Sequence, residues 1–566
     1  MTVFLPLRHI EKVLLFAVPA ISVITTPIFS ADPINLPKAS LLAVCGFAIL
    51  GLVLPNFRGL TSSLNISYLV VIFIFLVQTL IVLIYSGAPF DQQFYGVLGR
   101  NTGFLTYISL VLVSVAAALI ANKNNVKKFL YSLFIVALIS EVYSLLQTLG
   151  KDPIPWTSNY NSITGFLGNP NFQSSFMGIS AAVAFAYLIQ EGLPKGRKIL
   201  ALLYIALSLV LILRSDSIQG LLVMAIGTLV CLTLFLISSQ KFGRKKIIFP
   251  YLFLVGSCAV LVVLGTINIG PLSDFLYKAS VRQRGYYWDA AIEMTRNHPF
   301  FGVGFDSFGD WYFQSRSADA ALNSLNVTTN SPHNVFLEMG AIGGFPLFFA
   351  YIALILLTLR SSFNLIKNGR ASFDWILAGA IGAWVAYLSQ SLISVNQIGL
   401  AVWGWVLMGL IIGSERNLRK EDNLKIPLSK NNSPGAFLLK TRDQGARLTV
   451  LFVTLCTVAA LAIVIPPLRN DAAYRTAFES KSAEKLIAAV LAKPEAADRS
   501  VDAVQLLAQS GLFEQANSLI DHVTDKYPRN HNAWYLKVRL VDENSEEYKL
   551  IVEKINELNP RAPYNK

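Results

Sequence analysis

Ile66-Ser67-Tyr68-Leu69-Val70-Val71-Ile72-Phe73-Ile74-Phe75-Leu76-Val77-Gln78-Thr79-Leu80-Ile81-Val82-Leu83-Ile84-Tyr85-Ser86 is an apolar run without a single charge. At the helical rise per residue, about 20 such residues cover the ~30 Å hydrocarbon core of a bilayer. One such run alone would equally suit a buried core helix. Its repetition along the chain decides between the two. Comparable runs lie at about 13–29, 38–55, 102–121, 129–149, 171–190, 199–213, 218–238, 248–268, 334–358, 375–394, 396–413 and 447–466. The reading is an all-α polytopic membrane protein of 12 to 13 spans. Composition agrees: 54% of the 566 residues are hydrophobic and only 14% are charged, against about a quarter charged in soluble domains. The first run follows Arg8 and Lys12 as a signal peptide would, but it contains Pro19 and Pro27 and lacks a small-residue cleavage site. It is expected to stay as the first span.

Loop charge gives the orientation. Lys123, Lys127 and Lys128, then Lys195, Arg197 and Lys198, then Lys241, Arg244, Lys245 and Lys246, all fall on the same side of a thirteen-span layout. Basic loops stay cytoplasmic. The expectation is therefore a cytoplasmic (inner) membrane protein with its N-terminus inside. A polar, basic stretch Ser414–Ala446 reads as an inner linker. The long loop 269–333 and the segment 471–566 then lie outside. The net charge of +13 resides in inner loops facing anionic lipid and calls for no nucleic-acid partner. The expected organisation is a transmembrane domain 1–446, a last span 447–466 and an extracytoplasmic helical domain 471–566. The four cysteines (Cys45, Cys231, Cys258, Cys456) each sit inside an apolar run and read as packing residues. No spacing suggests a metal site or a cofactor.

The final segment is charged, Ala-rich and helical in period. Leu507-Ala508, Gly511, Phe513 and Ala516, with Pro528 closing the second helix, resemble a tetratricopeptide repeat. Pro494, Pro528 and Pro560 recur at spacings of 34 and 32. An unrelated small helical bundle is the alternative. Neither form carries a catalytic constellation, and either suits binding a protein partner or crowding the membrane exit.

The long loop reads Arg282-Gln283-Arg284-Gly285-Tyr286-Tyr287-Trp288-Asp289, then His298-Pro299-Phe300-Phe301-Gly302-Val303-Gly304-Phe305-Asp306, then Pro332-His333-Asn334 before a helix bearing Gly340-Ala341-Ile342-Gly343-Gly344. This order (Arg-x-x-x-Trp, Pro-x-x-Gly-x-Gly, His-Asn, Gly-rich helix) resembles the O-antigen ligase/polymerase superfamily. The hydrophobic layout over about the first 415 residues is also similar. The resemblance implies a membrane glycosyltransferase, without metal or cofactor. It would move a glycan from an undecaprenyl-diphosphate carrier to a hydroxyl acceptor at the outer face. A lipid core, a growing polymer and a protein hydroxyl suit the same loop as acceptors.

On that resemblance Arg284 meets the diphosphate, with Arg282 as its weaker neighbour, and His333 is the general base. The chemistry is apt: a guanidinium fork binds phosphate oxygens bidentately, and a neutral imidazole takes a hydroxyl proton near pH 7. The alternatives are water-facing arginines on an amphipathic helix and a capping or core histidine. Asn334 would hold the ring or bind sugar. Arg100, in Gly99-Arg100-Asn101-Thr102-Gly103, and Asn169 and Asn171, in Gly168-Asn169-Pro170-Asn171, open two further helices. They are candidates for anion or sugar binding, with helix capping the competing role for the asparagines. One departure stands out. Where many members carry Ser-Arg before a helix matching the eighth span, this chain has Ser217-Ile218. Arg214, four residues earlier, either serves the same anion or pairs with Asp216. Glu141, inside the fifth span, is a functional or a structural buried carboxylate. Two other functions fit a polytopic chain: a lipid-linked glycan flippase, and a non-catalytic envelope scaffold acting through the tail.

Overall fold

The computed structural model describes residues 4–562, except 62, 155, 157–162, 239–243, 326, 369–371 and 424–437. Helices α1 (Phe4–Val23) and α2 (Asn35–Val53) open the chain, followed by α3 (Phe57–Thr61), α4 (Ile66–Tyr85), α5 (Phe90–Tyr95) and α6 (Phe104–Ile120). Next come α7 (Lys123–Thr148), α8 (Pro170–Leu188), α9 (Lys195–Arg214), α10 (Ile218–Ser238) and α11 (Arg244–Thr266). The long loop carries α12 (Ser273–Leu276), α13 (Ala279–Asn297), α14 (Phe308–Ser315) and α15 (Ala318–Asn323). Then follow α16 (Val335–Asn368), α17 (Trp375–Ser391), α18 (Ile398–Asn423) and α19 (Leu438–Ser480). The tail holds α20 (Ala483–Leu491), α21 (Ala497–Gln509), α22 (Phe513–Lys526), α23 (His531–Lys537) and α24 (Glu546–Leu558).

The chain is an all-α polytopic membrane protein. Nine helices among the described residues are long and apolar enough to cross a bilayer, and α6 is a shorter apolar helix. Each of the thirteen expected spans contains a helix, though the ends differ. The first helix covers Phe4–Val23, so Pro27 lies in the loop after it rather than in the span. The expected inner linker is helical at both ends, through Asn423 and from Leu438; its middle, 424–437, lies outside the described residues, as does Lys241. Cys45 and Cys231 are buried as expected, whereas Cys258 is exposed on α11. A bilayer would cover that helix with lipid, which makes an outward thiol cheap.

Small residues set the helix spacing. A Cβ at Gly409 on α18 would stand 2.1 Å from the Ser114 carbonyl oxygen on α6, so only glycine permits that crossing. Helix α19 packs along α2 and runs unbroken from the membrane region into the tail, with Pro466 and Pro467 inside it. The tail helices have a core of their own, including Val504, Leu507, Ala516, Leu519, Ile520 and Val523. Each packs mainly on its chain neighbours.

Candidate active site

Helix α13 buries Tyr286, Tyr287, Ala290, Ala291 and Met294, spaced to form one stripe of a helix. That stripe packs on α16 and α14. Arg284 stands one turn before Tyr287, and residues three apart share a face. It is half-buried, whereas Arg282 is exposed. Burial, the larger influence, pulls the Arg284 guanidinium below its ordinary value, and Tyr287 offsets part of this. The Tyr287 ring stacks on His333 with centroids 5.5 Å apart. One helical face thus delivers both the arginine and the ring against which the imidazole rests.

His333 has φ 55°, a left-handed conformation uncommon for residues other than glycine. Asn334 follows and accepts from the Phe336 and Leu337 amides at 3.0 and 3.1 Å. It therefore caps α16, where the sequence suggests that it holds the ring or binds sugar. His333 Nδ1 lies 3.2 Å from the Ser331 carbonyl oxygen. A carbonyl only accepts, so Nδ1 carries the proton and Nε2 keeps its lone pair. Burial, then Arg100, then Arg284 push the imidazole down to about 4, against the Ser331 bond. The ring is neutral at physiological pH for a physical reason: a cation there would be poorly solvated and flanked by two guanidinium groups.

Arg100 reaches this centre from another part of the chain. It sits in a turn where the Val97 carbonyl accepts from the Arg100 and Asn101 amides at 3.1 and 2.9 Å. Asp306 of the long loop braces that turn. It accepts from the Val97 and Thr102 amides at 2.9 and 3.0 Å and from the Thr102 hydroxyl at 2.6 Å. Phe305, fully buried, packs on Tyr107 and Phe104 of α6 at 5.6 and 6.3 Å, which fixes Asp306 in register. Glu338, buried one turn into α16, is engaged by the Ser331 side chain and lies within electrostatic reach of Arg100.

The glycines of the motif shape the floor. Helix α16 breaks at Gly344, with φ 70° and ψ −174°. The freed backbone pairs with the loop: Val303 N to Ala341 O at 2.8 Å, Gly304 N to Ile342 O at 3.1 Å, and Phe345 N to Pro299 O at 2.8 Å. Gln78 of α4 donates to the Phe300 and Gly343 carbonyls at 2.7 and 3.1 Å. A Cβ at Gly302 would lie 2.3 Å from the Gly343 amide nitrogen. These glycines permit close backbone approach.

Arg284, Arg100 and His333 therefore converge. Asn169 and Asn171 stand at the start of α8, and Arg214 at the end of α9. Asn169 caps α8 through the Asn171 amide at 2.9 Å, and Asn171 Oδ1 accepts from the Ser217 hydroxyl at 2.7 Å. Arg214 ends α9 with its side chain exposed. Among the described residues it forms no ion pair with Asp216, and no described contact joins Arg214 or Asn171 to His333 or Arg284. Among the described residues no group of three or more His, Cys, Asp or Glu is placed to hold a metal ion. Glu141, fully buried on α7, accepts from the Ser208 hydroxyl at 2.7 Å.

Residues 202–352 match the family model described as O-antigen ligase. The matched stretch runs from within α9 into α16. It contains Arg214, Arg282, Arg284, His333 and Asn334, while Arg100, Asn169 and Asn171 lie before it. The match supports the O-antigen ligase superfamily and, with it, glycan transfer in polysaccharide biosynthesis by a membrane enzyme. A comparison with curated proteins finds no match.

Asp306, Tyr287, Ser331 and Glu338 are site residues that the sequence does not single out. Asp306 and Tyr287 stand inside the quoted motifs, but their partners are far away in the chain. An acidic residue directly after the Gly-x-Gly-Phe turn is the one usable signal.

Proposed function

We propose that this protein transfers a glycan from an undecaprenyl-diphosphate carrier to a hydroxyl acceptor at the outer face of the cytoplasmic membrane. The supporting observation is the neutral His333 imidazole, with Nε2 available, within electrostatic reach of Arg284 and Arg100. The acceptor oxygen attacks the sugar carbon bonded to the diphosphate as His333 Nε2 takes its proton. The bond from that carbon to the diphosphate oxygen breaks with inversion, and the electron pair leaves with the diphosphate. Arg284 and Arg100 neutralise the charge developing there. Ser331 holds the tautomer and Tyr287 the ring plane. In this reading Arg214, Asn169 and Asn171 contact more distant parts of the donor or the acceptor glycan. The tail is a tetratricopeptide-like domain outside the membrane and offers a surface to a protein partner.

The test is His333→Ala in the native host, with expression verified and lipid-linked glycan assayed on spheroplasts by an impermeant lectin. Transfer is expected to fall about 10²–10⁴-fold, the usual contribution of a general base, while lipid-linked glycan accumulates outside. Accumulation only inside would favour a flippase. An unchanged product would make His333 structural, and would favour a scaffold if tail deletion alone had an effect.

A further inference from the structure

We propose that the C-terminal tail is a built-in positioning element of the transfer site: Asp471 of α19 holds the Ser30–Asp32 turn, and that turn, through Asp32 and Asn35, fixes Gly99 and aims Arg100. The inference rests on the reading that Arg100 meets the donor diphosphate.

Both backbone groups of Gly99 are held, one from the α1–α2 connection and one from the first residue of α2. Its amide donates to Asp32 Oδ2 at 3.1 Å, and its carbonyl accepts from Asn35 Nδ2 at 2.5 Å. Gly99 has φ 76°, so its conformation is one that glycine alone adopts without strain. The other side of the turn is held by Asp306. Two carboxylates and one amide thus clamp the residues around Arg100. Asp32 also ties the turn to the start of α2, because its Oδ1 accepts from the Ile34 and Asn35 amides at 3.3 and 3.1 Å.

The Asp32 segment is in turn gripped by the tail side of the molecule. Asp471, 1% exposed, accepts from the Ala31 amide at 2.8 Å, the Asp32 amide at 3.0 Å and the Ser30 hydroxyl. Arg499 of α21 pairs with the same carboxylate and lies over the Tyr474 ring at 4.8 Å. A buried carboxylate is tolerated only with such a full set of donors. Arg475 adds a bond to the Ser30 carbonyl at 3.1 Å. A second tether reaches the opposite flank of the turn: Lys526 of α22 binds Asp91 of α5 at 2.8 Å. Between the tethers, Gly96, Val97 and Leu98 face Glu495, Ala496 and Asp498 across a cavity of about 80 Å³. The tail therefore overlies the turn and supports it from both ends.

The experiment measures undecaprenyl diphosphate binding by the purified full-length chain in detergent, with thermal midpoints in parallel. Arg100→Ala, Asp471→Asn and Arg499→Ala are each expected to raise Kd by about tenfold, the scale of one charge-assisted contact. The deciding measurement is the double variant. Asp471→Asn added to Arg100→Ala should cost nothing further, because the carboxylate acts through that arginine. If Asp471→Asn fails to fold, Arg499→Ala and Asn35→Ala carry the same cycle from the tail and from α2. Equal losses with and without Arg100 would mean a general structural effect and would overturn the inference, as would unchanged binding in the tail variants. Unchanged binding in Arg100→Ala would remove both the inference and the role given to Arg100.

Discussion

At His333, Ser331 fixes the proton on Nδ1, while burial first, then Arg100 and Arg284, oppose a second one. An unfolded histidine titrates near 6.5, and this one is pushed down to about 4. Between those values the unfolded chain binds more protons than the folded one. Stability from the neutral ring is therefore complete above pH 6.5 and is lost as pH falls toward 4. The same shift predicts that kcat/KM keeps its value down to about pH 5; an acid limb centred near 6.5 would show that the base is another group. Arg284→Ala is expected to raise KM for the lipid-linked donor about 10–100-fold. Arg284→Lys should recover only part of it, since an ammonium keeps the charge but loses the fork. Arg214→Ala, at an exposed side chain with no described contact to His333 or Arg284, should cost less than Arg284→Ala; equal losses would place Arg214 on the diphosphate.

At the scale of elements, the break in α16 is what lets the long loop dock. Gly344 has ψ −174° at φ 70°, a region essentially closed to other residues. A Cβ there would also meet the Pro299 carbonyl oxygen at 2.5 Å. Gly344→Ala is expected to cost about 1–3 kcal/mol from backbone strain alone, read as a lowered thermal midpoint together with lost transfer. Gly285 is the opposite case. It lies within α13 with open space where its Cβ would stand, so Gly285→Ala should stabilise by up to about 1 kcal/mol. A fall in midpoint would show that α13 does not stay helical there. The loop glycines of the motif are visible in the sequence. Their pairing with a broken helix is not, because a Gly-Gly pair inside an apolar run is equally compatible with close helix packing.

For the whole molecule, topology is set by hydrophobic length and loop charge. A reporter enzyme active only outside the cytoplasm, fused after Lys566, is expected to be active; activity only from a cytoplasmic reporter there would invert the proposed orientation. The continuous α19 gives this a structural consequence, since the helix that packs on α2 also carries Asp471 to the Ser30–Asp32 turn. Severing the chain before Asp471 would therefore remove the carboxylate that holds the Ser30–Asp32 turn.

Residue order alone is enough for the helical class, the apolar spans and the segment from Arg282 to Gly344, because each depends on residues close together in the chain: a span needs only length and apolarity, and a motif only order. Arg100 is visible as a basic residue before a helix, but nothing local joins it to His333. Its action on His333 alongside Arg284, the bracing by Asp306 and the reach of Asp471 to Asp32 all required the packed molecule. They rest on hydrogen bonds, ring contacts and charge interactions between segments far apart in the chain, which exist only once α2, α6, α13, α16 and α19 have come together.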